Sequence, residues 1–432
     1  MNIIELYQLF RASSGVNTDT RSLRPGQLFF ALKGENFDGN AYAMAALDAG
    51  AAYAVVNEYV VEEDPRLIKV PDTLAALKDL AAWHREHVLG ERRLPVIGLT
   101  GTNGKTTTKE LIREVLSTRH RVTATEGNLN NDIGVPLSLL SITPETEIAV
   151  IEMGANHPDD IGKLVQVSRP DYGLITNVGK AHLLGFGSFE GVKRAKGQLY
   201  DYLAAHGGKA FVNAADPVLV EMASQRGLET LPYGAVQEVL PTTSETPFLR
   251  LCIDGMLVET HLVGAYNAAN VLAAIAIGQA FGVSLAEAVG AITAYVPANN
   301  RSQMVRTERN VLIEDAYNAN PSSMAAALDN FTTLHDSHKV VMLGDMRELG
   351  VDSVWEHLQV VRRLDGCGLS QAFLVGDEFR KAVANVGCRP YVRLFATSDQ
   401  LAAWLAGNPL EGATVLVKGS RGIRMEKVLP AL

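Results

Sequence analysis

The chain has 432 residues, 47% hydrophobic and 20% charged, enough for two to four domains that each bury a core. A formal net charge of −9 with no run of Lys or Arg excludes nucleic acid as a main partner. Three cysteines without CxxC spacing make no disulfide framework, and no stretch approaches the ~20 apolar residues of a membrane span, so a reduced cytoplasmic chain with no membrane insertion is expected.

Residues 1–90 read as a small α/β unit. Leu28 to Leu32 and Ala52 to Val56 are apolar enough for strands, and Ala41 to Ala49 has helical spacing between them. Thr18-Asp-Thr-Arg21 and the loop from Lys33 to Gly39 flank the first strand. These polar, glycine-containing segments suit either a polar ligand or plain solvated turns. A helix from Thr73 to His87 leads to a first boundary near Gly90.

Residues 91–300 open on Val96-Ile-Gly-Leu-Thr-Gly-Thr-Asn-Gly-Lys-Thr-Thr-Thr108, a buried strand, a glycine-rich turn and a helix start. Gly101 and Gly104 let backbone N–H groups of Thr102, Asn103 and their neighbours close round an anion, and the helix opening at Thr106 adds its positive end. Lys105 reaches terminal phosphates, while the hydroxyls of Thr106 and Thr107 lie near them, Thr106 where a magnesium ion would sit. The spacing is shorter than in the general phosphate loop, whose first glycine would fall at Leu99. The apolar strand Ile148 to Glu152 ends in an acid, and an acid at the carboxyl end of a buried parallel strand faces the ligand crevice. His182 follows the next strand, Tyr172 to Asn177, on the same rim; alone, such a histidine is a bystander as readily as a ligand. The helix Phe189 to Leu203 carries Lys196, which its local sequence leaves as an ordinary solvated lysine. Asn267 and Asn270 share one face of an apolar helix, so they can read a base or, in the case of Asn267, cap the helix.

From residue 301 to 432 strands and helices alternate again, at Val311 to Asp315, Val340 to Asp345, Ala372 to Asp377 and Thr414 to Lys418. Three of these strands end in aspartate, which suggests an acidic ligand edge suited to an amine or a ribose. The expected architecture is α/β with three domains: a small α/β N-terminal domain, a central P-loop ATPase-type parallel sheet, and a C-terminal Rossmann-like doubly wound domain.

Together these residues resemble the Mur ligase family, the ATP-dependent amino-acid ligases of peptidoglycan precursor synthesis, over nearly the whole chain. The resemblance is carried by Thr100 to Thr107, by Thr125-Glu-Gly-Asn-Leu-Asn-Asn-Asp-Ile-Gly-Val-Pro136, by Asn267 and Asn270, and by Glu152-Met-Gly-Ala155. Further strings are Ala181 to Ser188, Tyr317-Asn-Ala-Asn-Pro321, Gly344-Asp-Met-Arg-Glu-Leu-Gly350 and Lys418-Gly-Ser-Arg421. It implies ATP and two Mg2+ ions as cofactors, with Thr106, Glu152, His182 and Lys196 as metal ligands. Lys196 would be carbamylated by CO2, which turns a cation into an oxygen ligand. Arg301 would touch the phosphates, Asp315 the ribose, and Asn267 and Asn270 the adenine. The implied partners are UDP-N-acetylmuramoyl-tripeptide and D-alanyl-D-alanine, and a monomer is expected. The tripeptide substrate would meet Thr20, Arg21, Phe37, Asp38 and Gly39 at its UDP end and Asn128, Asn130 and Asn131 in the substrate loop. Tyr317, Asn318, Asn320, Ser420 and Arg421 would complete the substrate set. Two departures stand out: Leu184 where many relatives carry glutamate, and Tyr266 where histidine often precedes the first adenine asparagine. The Asp-Asn-Pro-Arg string of the diamino-acid-adding ligase is absent. The competing readings are another Mur-type ligase with a different amine, and a P-loop nucleotide switch with no ligase chemistry.

Overall fold

Five-residue apolar runs are too short for helices, and here they become the central strands. Val96–Thr100, Ile148–Glu152 and Thr414–Lys418 are buried at every residue, as strands covered on both faces must be. The computed structural model describes the chain except residues 35, 59, 62, 235–237, 243–246, 299–300, 302 and 335, so the expected boundary at residue 300 lies outside the described residues.

The first domain is a four-stranded parallel sheet in the order Val16–Asn17, Leu28–Phe30, Tyr53–Asn57, Leu67–Val70. The helix Thr73–His87 follows, its Asp72 cap accepting from the N–H groups of Leu74 and Ala75. The middle domain holds six parallel strands in the order Glu229–Tyr233, Lys209–Asn213, Tyr172–Ile175, Val96–Thr100, Ile148–Glu152, Val122–Ala124. The strand before the phosphate loop lies centrally, and the register sets Leu99 opposite Glu152 and Thr100 opposite Ile175. Glu152 and the loop thus leave the sheet side by side at its carboxyl edge, where open α/β sheets bind ligands.

The third domain orders its strands Gln303–Arg306, Val311–Asp315, Thr414–Lys418, Lys339–Gly344, Gln371–Val375, Val392–Phe395, with only the first pair antiparallel. Of the three aspartates of its expected acidic edge, Asp315 alone lines the cavity described below. Asp315 is neutralised by Lys418, Nζ to Oδ2 2.5 Å, and Asp377 opens the helix Asp377–Val386. The Asp345 carboxylate accepts from the N–H groups of Glu378 and Phe379 at 3.0 and 2.9 Å, so it caps that helix. The sequence reading also gave no hint of a three-stranded antiparallel sheet, Glu238–Leu240, Phe248–Ile253 and Met256–Val263, packed on the middle domain.

The first two domains are tied by a buried ion pair. Arg85 Nη2 donates to Asp171 Oδ2 at 2.8 Å, the same oxygen accepts from Val96 N at 2.9 Å, and Arg93 also pairs with Asp171. The Arg85 and Asp171 side chains are only 8% and 11% exposed. Removing one partner of such a pair strands the other charge. Asp171→Ala is therefore expected to lower the stability of these joined domains by about 3 kcal/mol, read as a shift of the urea unfolding midpoint; an unchanged midpoint would show the pair to be idle.

Candidate active site

The loop after Val96–Thr100 needs glycine at two places. Gly101 has φ +151°, and a Cβ there would run into Thr176 Oγ1; Gly104 has φ +79°, and its Cβ would lie 2.7 Å from Asn270 Oδ1. The loop is braced from the neighbouring strand end. Thr176 Oγ1 donates to Asn103 O at 2.6 Å, Asn177 Oδ1 accepts from Asn103 N at 2.9 Å, and Asn177 O accepts from Thr102 N at 3.0 Å. The helix Lys105–Leu116 starts one residue earlier than expected, and no side chain caps it. Its first N–H groups are left for an anion. The Lys105 ammonium donates to the carbonyls of Gly101 and Thr102 at 2.8 and 3.1 Å. Burial holds it below the usual lysine range, against the pull of Glu152.

Beside the loop, Thr106 Oγ1 donates to both oxygens of Glu152 at 3.2 and 3.0 Å, and Asn130 Nδ2 donates to Glu152 Oε1 at 2.8 Å. The Glu152 backbone N–H donates to Thr125 Oγ1 at 3.0 Å, while the fully buried Lys109 donates to Thr125 O at 2.5 Å. The segment from Thr125 to Asn130 and the acid are thereby locked to the helix Lys105–Leu116.

His182 occupies a left-handed conformation, φ +51°, at the start of the short helix Leu183–Phe186, and its Nδ1 meets the Glu348 carboxylate of the third domain. Burial lowers its pKa, with Glu348 opposing. Lys196, on Phe189–His206, is 3% exposed rather than solvated, with Nζ 5.9 Å from the Phe186 ring centre. Burial, reinforced by the Lys105 charge, drives its pKa well below the usual lysine range.

Asn267 does not cap the apolar helix Ala268–Ala280; its Nδ2 donates to Val263 O at 2.9 Å, and its Oδ1 accepts from Asn270 Nδ2 at 2.8 Å. On the third-domain side, the Arg301 guanidinium lies 3.7 Å from the Tyr317 ring centre, and its buried Nε has no hydrogen-bond partner among the described residues. Arg421 Nη1 donates to Tyr317 Oη at 3.4 Å, Ser420 Oγ to Ala319 O at 3.1 Å, and Lys418 Nζ to Asn318 O at 3.2 Å. Asn320 Nδ2 donates to Asn103 Oδ1 at 2.7 Å, a direct bridge from the third domain to the phosphate loop.

One cavity of about 740 Å³ gathers most of these residues. Thr102 to Thr107, Glu152 and His182 line it, with Asn128, Asn130 and Asn131 from the loop before the helix Gly134–Leu140 and Asn267 and Asn270 at the start of the apolar helix. Arg301, Asp315, Tyr317, Asn318, Asn320, Ser420 and Arg421 form the opposite wall. Gly101 and Lys196 are not on its lining. Thr20, Arg21, Phe37, Asp38 and Gly39 stand apart, in loops of the first domain; there Arg21 pairs with Asp19 at 2.6 Å, and Asp38 Oδ1 accepts from Asn40 N at 2.9 Å. Sequence reasoning assigned no role to Asn177, Lys109 or Glu348. Asn177 had a signal, a polar residue closing an apolar strand; a contact between residues 182 and 348 had none. Among the described residues no group of three or more His, Cys, Asp or Glu side chains forms a ready metal cage.

Residues 13–85, 99–278 and 300–421 match, in turn, the Mur ligase family catalytic domain, the Mur ligase middle domain and the Mur ligase glutamate ligase domain. The chain is 37% identical over 431 residues to the UDP-N-acetylmuramoyl-tripeptide--D-alanyl-D-alanine ligase of Escherichia coli (strain K12), covering 96% of this chain and 93% of that one. Its structure is similar to that of MurF from Acinetobacter baumannii, with a TM-score of 0.85, 31% identity, and 98% and 97% of the two chains covered. It is also similar to a MurF ligase from Thermotoga maritima in complex with ADP, with a TM-score of 0.82, 25% identity and 97% of each chain covered.

Proposed function

The chain belongs to the Mur ligase family, and from that premise we propose that it is an ATP-dependent ligase joining D-alanyl-D-alanine to UDP-N-acetylmuramoyl-tripeptide. The observation that carries this reading is the single cavity in which the phosphate loop faces Arg301, Tyr317 and Asn320 of the third domain. A nucleotide switch gives no reason for a buried Lys196 or for a second wall of polar side chains.

An amide forms from a carboxylate only once one of its oxygens has become a leaving group. The terminal carboxylate of the tripeptide attacks the γ-phosphorus of ATP; an O–P bond forms, the bond to ADP breaks, and an acyl phosphate results. The dipeptide amine then attacks the acyl carbon, phosphate departs, and the nitrogen loses a proton. The protein's contribution is positioning and charge neutralisation. Lys105 and the loop N–H groups hold the phosphates, and Arg301, whose Nε has no partner among the described residues, supplies a further donor. Asn267 and Asn270 face the adenine, and Asp315 the ribose. The first domain takes the UDP end at Thr20, Arg21 and Phe37 to Gly39, and the third domain delivers the dipeptide past Tyr317, Asn318, Ser420 and Arg421. Closure of the cavity keeps water from the acyl phosphate.

The donor set fits magnesium. Thr106 Oγ1 and the Glu152 carboxylate, 3.0 to 3.2 Å apart, offer hard oxygen ligands and leave positions for phosphate oxygens and water. Thr106 and Glu152 would hold one ion, and Glu152, His182 and carbamylated Lys196 a second. Bound there, the ions would act as Lewis acids on the phosphoryl and acyl oxygens. Burial supports the carbamate, because it favours the uncharged Lys196 amine, which is the form that adds to CO2 with loss of a proton. On this reading the protein works as a cytoplasmic monomer. The test is phosphate release from ATP and UDP-N-acetylmuramoyl-tripeptide, with and without D-alanyl-D-alanine. Release is expected to require the dipeptide and to match amide product formed; turnover indifferent to it would end the ligase reading.

A further inference from the structure

We infer that Glu348 of the third domain is a positioning residue for His182 of the middle domain, holding its imidazole with the proton on Nδ1 and Nε2 free as a ligand. The inference rests on the reading of His182 as a metal ligand and adds what orients it.

The Glu348 carboxylate meets His182 Nδ1, and the backbone ties the same two segments together, since Leu184 N donates to Glu348 O at 3.1 Å. A carboxylate only accepts, so the ring nitrogen facing it must carry hydrogen; the lone pair of the neutral ring is then on Nε2. Both residues hold left-handed backbone, φ +51° at His182 and φ +64° at Glu348. Non-glycine residues pay for that conformation, which persists only where surrounding contacts enforce it. Here each strained residue is fixed by the other's segment.

Among the described residues, no carboxylate of the middle domain is hydrogen-bonded to the His182 ring. Glu152 is engaged by Thr106 and Asn130, and Leu184, next to the histidine on the short helix, is apolar and 70% exposed. The contact belongs to a continuous seam between the domains. Along it Lys180 N donates to Ser322 Oγ at 3.2 Å, Lys180 Nζ pairs with Glu356 at 2.8 Å, and Asn320 bridges to Asn103. The ligand set is therefore oriented only when the third domain is seated. Carboxyl activation waits for the domain that brings the amine, so an acyl phosphate does not form in an open site.

The test uses the full-length protein in two ways. In the metal-free state, 15N-labelled histidine is followed by long-range 1H–15N spectra. Wild type is expected to show the Nδ1–H tautomer for His182, Glu348→Gln to keep it through its amide oxygen, and Glu348→Ala to lose it. Binding of Mn2+, used as the probe metal with a non-hydrolysable ATP analogue, is then expected to weaken about 10- to 100-fold in Glu348→Ala, the usual effect of removing a carboxylate behind a ligating histidine. If His182→Ala weakens Mn2+ binding while Glu348→Ala leaves both binding and tautomer unchanged, Glu348 is not the positioning residue. If neither variant affects Mn2+ binding, His182 is not a ligand and both readings fall.

Discussion

Lys196→Ala is expected to lower ligase turnover about 10²- to 10³-fold, with part of the activity returning when acetate or formate is added at high concentration. An oxygen ligand to a catalytic ion supplies several kcal/mol of charge stabilisation, and each 1.36 kcal/mol is a factor of ten in rate. The side chain is 3% exposed, and as an ammonium it would set a positive charge near Lys105 where a dication must approach. As a carbamate it reverses that sign. The alanine variant leaves room for a small carboxylate to stand in, whereas Lys196→Met refills the volume with an apolar chain and should be equally slow but not rescued. The unfolding midpoint separates the chemistry from the fold: Lys196→Ala empties buried volume and is expected to lower it, Lys196→Met refills that volume and is expected to hold it, while both variants lose turnover. Full activity in Lys196→Ala would remove the residue from the mechanism.

The second large effect is expected at Glu152. Glu152→Gln keeps size and shape, and Thr106 can still donate to the amide oxygen. The Asn130 amide, now 2.8 Å from either an oxygen or an NH2 group, fixes which way the new side chain faces. The fold is therefore retained while the anionic ligand is lost. We expect kcat to fall about 10²- to 10³-fold, as when one preorganised electrostatic partner is removed from a phosphoryl-transfer site. Tripeptide affinity should change little, because the substrate loop stays anchored by Lys109 through Thr125. Product formation at saturating ATP, with tripeptide binding measured by calorimetry, checks both parts; near-normal kcat would exclude Glu152 as a ligand.

How far the sequence could be read depended on whether a feature was local. The phosphate loop, Glu152 at its strand end and the helix Thr73–His87 were legible, because glycine placement, a terminal acid in an apolar run and an aspartate cap act within a few residues. The burial of Lys196 was not, because helical spacing cannot tell a face against solvent from a face under Phe186. The aspartates of the third domain misled for a similar reason: an acid at a strand end can serve a ligand, a lysine on the next strand or a neighbouring helix, and only tertiary placement decides. Met256–Val263 gathers its apolar residues at its two ends around Glu259-Thr-His261, so no period-two signal marks it as a strand amid the αβ alternation. The pairing of His182 with Glu348 joins residues 166 positions apart, which no spacing rule reaches.

Lys105 rests on the carbonyls of Gly101 and Thr102. A triphosphate held at this loop would therefore exchange one set of oxygen partners for another at the ammonium, rather than meet a bare charge. A compound aimed at the same lysine has to outdo two backbone carbonyls within its reach.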